Sequence, residues 1–116
     1  MHSAPLYVLL PDEQTFKCVS NDTDLQWFEM IDVQDEAHHA WDEQGSRYLL
    51  VWDDGRHAVE ARLVSTDDLA GFLKAIDDFL AIPGIDALHA RHIMTATEVR
   101  YLRARLGKRA DRPGSA

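Results

Sequence analysis

Cysteine is nearly absent from this chain of 116 residues: Cys18 stands alone. No internal disulfide can form, and the chain needs no oxidising compartment. Glycine is scarce at six residues. Neither G-x-G-x-x-G nor G-x-x-x-x-G-K-[ST] occurs, which excludes the common phosphate-cradling loops. Long apolar runs are missing too. The run Leu6 to Leu10 is far shorter than the roughly 20 residues of a membrane span. No basic stretch precedes it and no small-residue cleavage site follows, so it does not read as a signal peptide. The expectation is a cytoplasmic protein without a membrane partner. A G-x-S-x-G elbow, an H-E-x-x-H helix and a cysteine pair are all lacking. No residue is assigned a catalytic role and no cofactor is expected.

Cations are outnumbered. Twelve Lys and Arg face 20 Asp and Glu, for a net charge of -8. The imbalance is uneven. Residues 1–86 hold 18 acidic and 5 basic side chains, whereas residues 87–116 hold 2 acidic and 7 basic ones. An acidic body repels nucleic acid and favours a basic protein partner. The basic C-terminal segment has two readings. It folds back and partly neutralises the body, or it forms a second patch for a different contact. Arg91, Arg100, Arg103, Arg105, Lys108, Arg109 and Arg112 could track phosphates. No nucleic-acid-reading motif accompanies them, so nucleic-acid binding is not expected.

What is present suits one globular domain. Hydrophobic residues make up 46% and charged residues 28%, values that argue against disorder. Residues 1–107 read as a single domain and 108–116 as a flexible basic tail. Leu6 to Leu10, Gln14 to Val19, Ala40 to Glu43, Tyr48 to Trp52 and Ala58 to Val64 read as strands. Pro11-Asp12-Glu13 and Gln44-Gly45-Ser46 supply turns, and Asp53-Asp54-Gly55-Arg56 is a hairpin signal. From Ser65 to Ala81, Leu69, Phe72, Leu73, Ile76 and Leu80 follow helical spacing. Ser65 or Thr66 is the expected cap, Asp67 and Asp68 the first turn, and Pro83-Gly84 the stop. Thr95 and Glu98 form a T-x-x-E capping box for a second helix, with Val99, Leu102 and Leu106 inward and Gly107 as its end.

Two segments are ambiguous. Leu25 to Val33 suits a strand with Leu25, Trp27, Ile31 and Val33 on one face, or a short helix capped by Thr23. Its β-branched and aromatic content favours the strand. Ile85 to Met94 suits either state. The fold class expected is α+β: an antiparallel meander of about 5–6 short strands, then two amphipathic helices packed on the sheet.

Six histidines offer a metal reading. His38 and His39 are adjacent, and His89 and His92 are spaced H-x-x-H. On a helix the latter pair would share a face, and Glu36, His38 and His39 could supply further ligands of an N/O site for zinc or a similar ion. The plainer alternative is surface histidines among acids and a partly buried His92. The paired carboxylates sit at turns and helix starts, which explains them without acid–base chemistry. Cys18 has no helix N-terminus or histidine beside it in sequence and reads as a buried structural thiol.

The leading expectation is therefore a small, non-enzymatic binding protein that engages a basic protein, as an inhibitor, immunity protein or adaptor does. Its candidate contacts are Asp35, Glu36, Asp42, Glu43, Asp53 and Asp54, with Trp41 as aromatic anchor. Two alternatives stand beside it. One is a histidine-based metal protein or small metalloenzyme. The other is a self-associating structural protein, such as a homodimer.

Overall fold

The computed structural model describes residues 5–11, 14–87 and 93–110, with the side chains of Asp22, Arg109 and Ala110 excepted. Five strands, β1 (Leu6–Leu10), β2 (Thr15–Val19), β3 (His39–Asp42), β4 (Arg47–Asp53) and β5 (Ala58–Ser65), form one sheet. Every neighbouring pair is antiparallel. The strand order is β2-β1-β3-β4-β5, so the chain leaves β2 at one edge and returns to pair β3 with β1. The α+β expectation holds. The strands do not follow sequence order at the start, because the return from β2 is a helical crossover rather than a tight turn.

That crossover is the main correction to the sequence reading. Leu25 to Val33 is not a strand. It contributes to two short helices, α1 (Asp22–Leu25) and α2 (Met30–Asp35). Local polar groups decide the matter. Asn21 Oδ1 accepts from the Asp24 N–H, and Asp32 Oδ2 accepts from the Glu29 N–H. Such side-chain bonds offer the backbone an alternative to a sheet ladder. Asn21 takes the capping place expected of Thr23. Leu25, Phe28 and Val33 turn inward, whereas Trp27 and Ile31, inward in the strand reading, are exposed.

Two helices cover the opposite face. Leu69–Leu80 forms α3 and Ala96–Ala110 forms α4. Asp68 holds the N-cap position of α3, so the acids precede the helix instead of filling its first turn. Its carboxylate does not cap; it bonds the Trp41 indole and the Arg47 guanidinium. The Thr95–Glu98 capping box is formed in both directions. Gly107 does not end α4, which continues through the good helix formers Lys108 and Arg109 to Ala110. The turn at Ile85–Ala87 is 3₁₀. The remaining undecided part of that segment, 88–92, lies outside the described residues, as do Asp12, Glu13 and residues 111–116 of the expected tail.

Strand alternation divides the core into two layers. Tyr7, Phe16 and Trp41 face α3 and α4, where they meet Phe72, Ile76, Phe79, Val99, Leu102 and Leu106. Trp41 stacks on Phe72 at 5.3 Å and 4°. Leu6, Val8, Val19, Ala40, Leu50 and Val59 face the crossover and bury Leu25, Phe28 and Val33. The crossover reaches both edge strands. Lys17 of β2 lies over the Trp27 ring at 4.8 Å, and Gln26 bonds the Val59 backbone of β5. No helix among the described residues is long and apolar enough to cross a membrane.

Candidate functional site

The predicted contact residues separate into three groups. Trp41 and Asp42 are interior, at 5% and 1% exposure. Asp42 closes the β3–β4 turn by accepting from the N–H groups of Gln44 and Ser46 and from the Tyr48 hydroxyl. Neither side chain is offered to a partner, which corrects the reading of both as surface contacts. Asp53 and Asp54 belong to the β4–β5 hairpin. Asp53 accepts from the N–H groups of Gly55 and Arg56, and Asp54 accepts from the Trp52 indole. The left-handed residue of this loop is His57, at φ +54°, rather than Gly55. Glu43 accepts from Arg105 of α4. Asp35 and Glu36 alone of the set lie at the end of the crossover.

The crossover gathers what the sequence reading left scattered. From Cys18 to Ser46 the chain contains eight acidic residues and no Lys or Arg. Within that stretch Trp27, Met30 and Ile31 are 48%, 44% and 58% exposed. Asp24, Glu29, Asp32, Asp35 and Glu36 are exposed around them in sequence. Trp27 is held edge-on against the buried Phe28, with ring centroids 5.0 Å apart. Trp27 is thus an exposed aromatic anchored from one side by Phe28, with exposed apolar and acidic residues near it in sequence. Sequence reasoning missed it because the strand assignment buried Trp27 and Ile31. The helix-starting pairs Asn21/Asp24 and Glu29/Asp32 were the signal that could have found it.

The basic C-terminal helix faces the body. Arg100 pairs with Asp86, Arg103 with Asp77, and Arg105 with Glu43, at 2.7, 2.9 and 3.0 Å. These arginines neutralise acidic side chains of their own chain. No known family model, curated protein or solved structure matches this chain. Function has to be argued from these surfaces.

The histidines are dispersed. His38 is buried, with Nδ1 on the Glu36 carbonyl and the ring edge-on to Phe28. His39 is half-buried beside Arg47. Burial first, and then the guanidinium, lower its pKa. His57 packs edge-on against Trp52. No three His, Cys, Asp or Glu among the described residues come together to hold a metal. His89 and His92 lie outside them. Cys18 is exposed rather than buried as the sequence suggested, because its place in β2 turns it away from the core layer that takes Val19, and it borders a cavity of about 340 Å³ with Tyr7, Glu98, Tyr101 and Arg105. Desolvation, then Glu98 and Glu43, push its pKa up. That is the opposite of what activates a nucleophilic thiol.

A smaller pocket of about 150 Å³ lies at the C-terminal end of α2. It is lined by Pro11, Asp32, Asp35, Glu36 and His38. Asp35 and Glu36, predicted from sequence as contacts, meet His38 there. His38 was predicted as a metal ligand.

Proposed function

We propose that this protein is a binding module for a basic protein partner, and that it docks through the α1–α2 crossover. The observation that carries the reading is the exposure of Trp27, Met30 and Ile31 inside an acidic stretch free of Lys and Arg. The division of labour follows from the chemistry. The carboxylates accelerate encounter with a cationic surface and reject anionic ones. The apolar trio, buried on docking, supplies affinity. The arginines of α4 pair with Asp86, Asp77 and Glu43 rather than with the exposed acids of α1 and α2, and Lys17, over the Trp27 ring, is a cation at the patch.

The test compares wild type with Trp27→Ser/Ile31→Ser as immobilised bait in host lysate at about physiological salt, the regime where surface charge is only partly screened. A basic protein retained by wild type at near-stoichiometric yield, eluted by salt and lost with the variant supports the reading. Identical captured sets from the two baits would sink it.

A further inference from the structure

We propose that β5 pairs antiparallel with the β5 of a second copy of this chain, with the two-fold axis at Ala61, so that two five-stranded sheets join edge to edge. This contact is separate from the α1–α2 docking surface above. Two bonds identify the outward backbone groups of the strand. Leu50 lies opposite Ala61, and its N–H turns away from β5 to the His38 carbonyl. Val59, two residues before Ala61, bonds the Gln26 side chain outside the sheet. Strand alternation then directs the N–H and C=O groups of Val59, Ala61 and Leu63 outward. Ala61 and Leu63 make no backbone hydrogen bond beyond the sheet among the described residues.

Gln26 shows what this edge accepts. A carboxamide carries the donor and the acceptor of a peptide group. Its nitrogen donates to the Val59 carbonyl and its oxygen accepts from the Val59 N–H. That double exchange is how a residue of an antiparallel neighbour pairs. A stand-in for a further strand therefore already sits at Val59.

The sequence of β5 selects its own copy as the occupant. An axis at Ala61 sets Glu60 opposite the partner's Arg62, Val59 opposite the partner's Leu63, and Ala58 opposite the partner's Val64. Opposite charges meet, which stabilises a cross-strand pair. Leu63 and Val64, 52% and 47% exposed, each gain an apolar neighbour. An axis at Glu60 or at Arg62 sets like charges directly opposite, which destabilises. An axis at Leu63 runs the irregular step between Leu63 and Ser65 into the new ladder. Only the Ala61 register is free of both faults, and it is self-complementary, as a two-fold interface requires. Glu60 accepts from Arg62 of its own chain at 2.7 Å, so pairing groups four charges of alternating sign. Pairing at Val59 also displaces the Gln26 amide in each copy. Gln26 is thus an internal competitor that keeps the wild-type dimer weak.

The test is sedimentation equilibrium of the full chain across a concentration series, with amide hydrogen exchange followed at Ala61 and Leu63. The expected result is a dimer whose formation slows exchange at those two amides as concentration rises. Gln26→Ala should dimerise about tenfold more tightly, because no amide has to be displaced. Arg62→Glu, at an exposed position, should weaken the dimer about tenfold by setting like charges opposite each other twice. Glu60→Arg/Arg62→Glu should restore it. The charge series is measured with Gln26 in place, so the decision does not depend on how well Gln26→Ala folds. A wild type that neither dimerises nor gains protection at Ala61 and Leu63 overturns the proposal. A dimer indifferent to Arg62→Glu, or one that the double exchange fails to restore, overturns it as well.

Discussion

The side-chain amide of Gln26 pairs with both backbone groups of Val59 as though it were a sixth strand. Its Nε2 donates to the Val59 carbonyl at 2.9 Å, and its Oε1 accepts from the Val59 N–H at 3.1 Å. β5 is an edge strand, and such edges recruit other strands unless blocked. Gln26 closes this one near its start, at Val59, and an irregular register near Arg47/Tyr48 disrupts it toward its end. Gln26→Ala should cost about 1–3 kcal/mol, the penalty for leaving two backbone groups unpaired. It should also raise self-association. Gln26→Glu keeps the acceptor and loses the donor, and should fall between. Urea unfolding and sedimentation velocity read the two effects. An alanine variant of wild-type stability, monomeric at high concentration, would show that water replaces the amide without loss.

Asp42 should behave as a structural residue. Its carboxylate accepts three hydrogen bonds while almost wholly buried. Asp42→Ala strands the Gln44 and Ser46 amides and the Tyr48 hydroxyl, and should cost about 3 kcal/mol. Asp42→Asn retains one acceptor oxygen and should cost about 1 kcal/mol. The turn below it has a second constraint in Gly45, at φ +88° with its carbonyl accepting from the Asp68 N–H. Chemical denaturation of the two variants checks the order. If alanine and asparagine were equally mild, the carboxylate would not be what holds the turn.

The limits of the sequence reading have a common cause. Period-2 and period-3.6 patterns exposed β1 to β5 and α3, and the T-x-x-E box exposed α4, because each has a long buried stripe. The crossover lacks one. In α1 and α2 few residues are buried, so hydrophobic spacing carried little information and β propensity prevailed. The helices there are set by side-chain-to-backbone bonds at Asn21 and Glu29, which propensity averages ignore. The same error hid Trp27 and Ile31. Trp41 and Asp42 failed as contacts for a different reason. They sit on β3, which lies between β1 and β4, and strand order cannot be read from one sequence. The opposite charges of body and tail were legible, and among the described residues Arg100, Arg103 and Arg105 pair with acids of the body.

The pairing along α4 should contribute less to stability than the packing beneath it. Arg103–Asp77 and Arg105–Glu43 are solvent-accessible pairs, a class worth about 0–1 kcal/mol each and screened by salt. Val99 and Leu102 on the inner face are 0% and 1% exposed. Truncating Leu102 to alanine should cost about 2–5 kcal/mol. Arg103→Ala and Arg105→Ala should each cost less than about 1 kcal/mol, and the difference from wild type should shrink in 1 M salt. Thermal unfolding at low and high salt measures this. An arginine variant as damaging as Leu102→Ala would mean that the ion pairs, not the apolar stripe, dock the helix.

Tyr7 should titrate late. Burial, then the Glu43 carboxylate, push its pKa from 10.0 up to about 12. The phenol is nearly enclosed at 4% exposure, so ionising it places a charge in the core beside another negative group. The linkage follows from the sign. Below pH 10 the tyrosine is protonated in both folded and unfolded chains, and its contribution to stability is fully present. Between about pH 10 and 12 the unfolded chain releases the proton first, so stability falls as pH rises. Phenolate absorbance should show a late step that Tyr7→Phe removes. The same variant should lessen the alkaline loss of stability across that window, after its own packing cost is subtracted. If Tyr7→Phe left the alkaline profile unchanged and removed no late phenolate step, the hydroxyl would be open to water rather than enclosed as the structure places it.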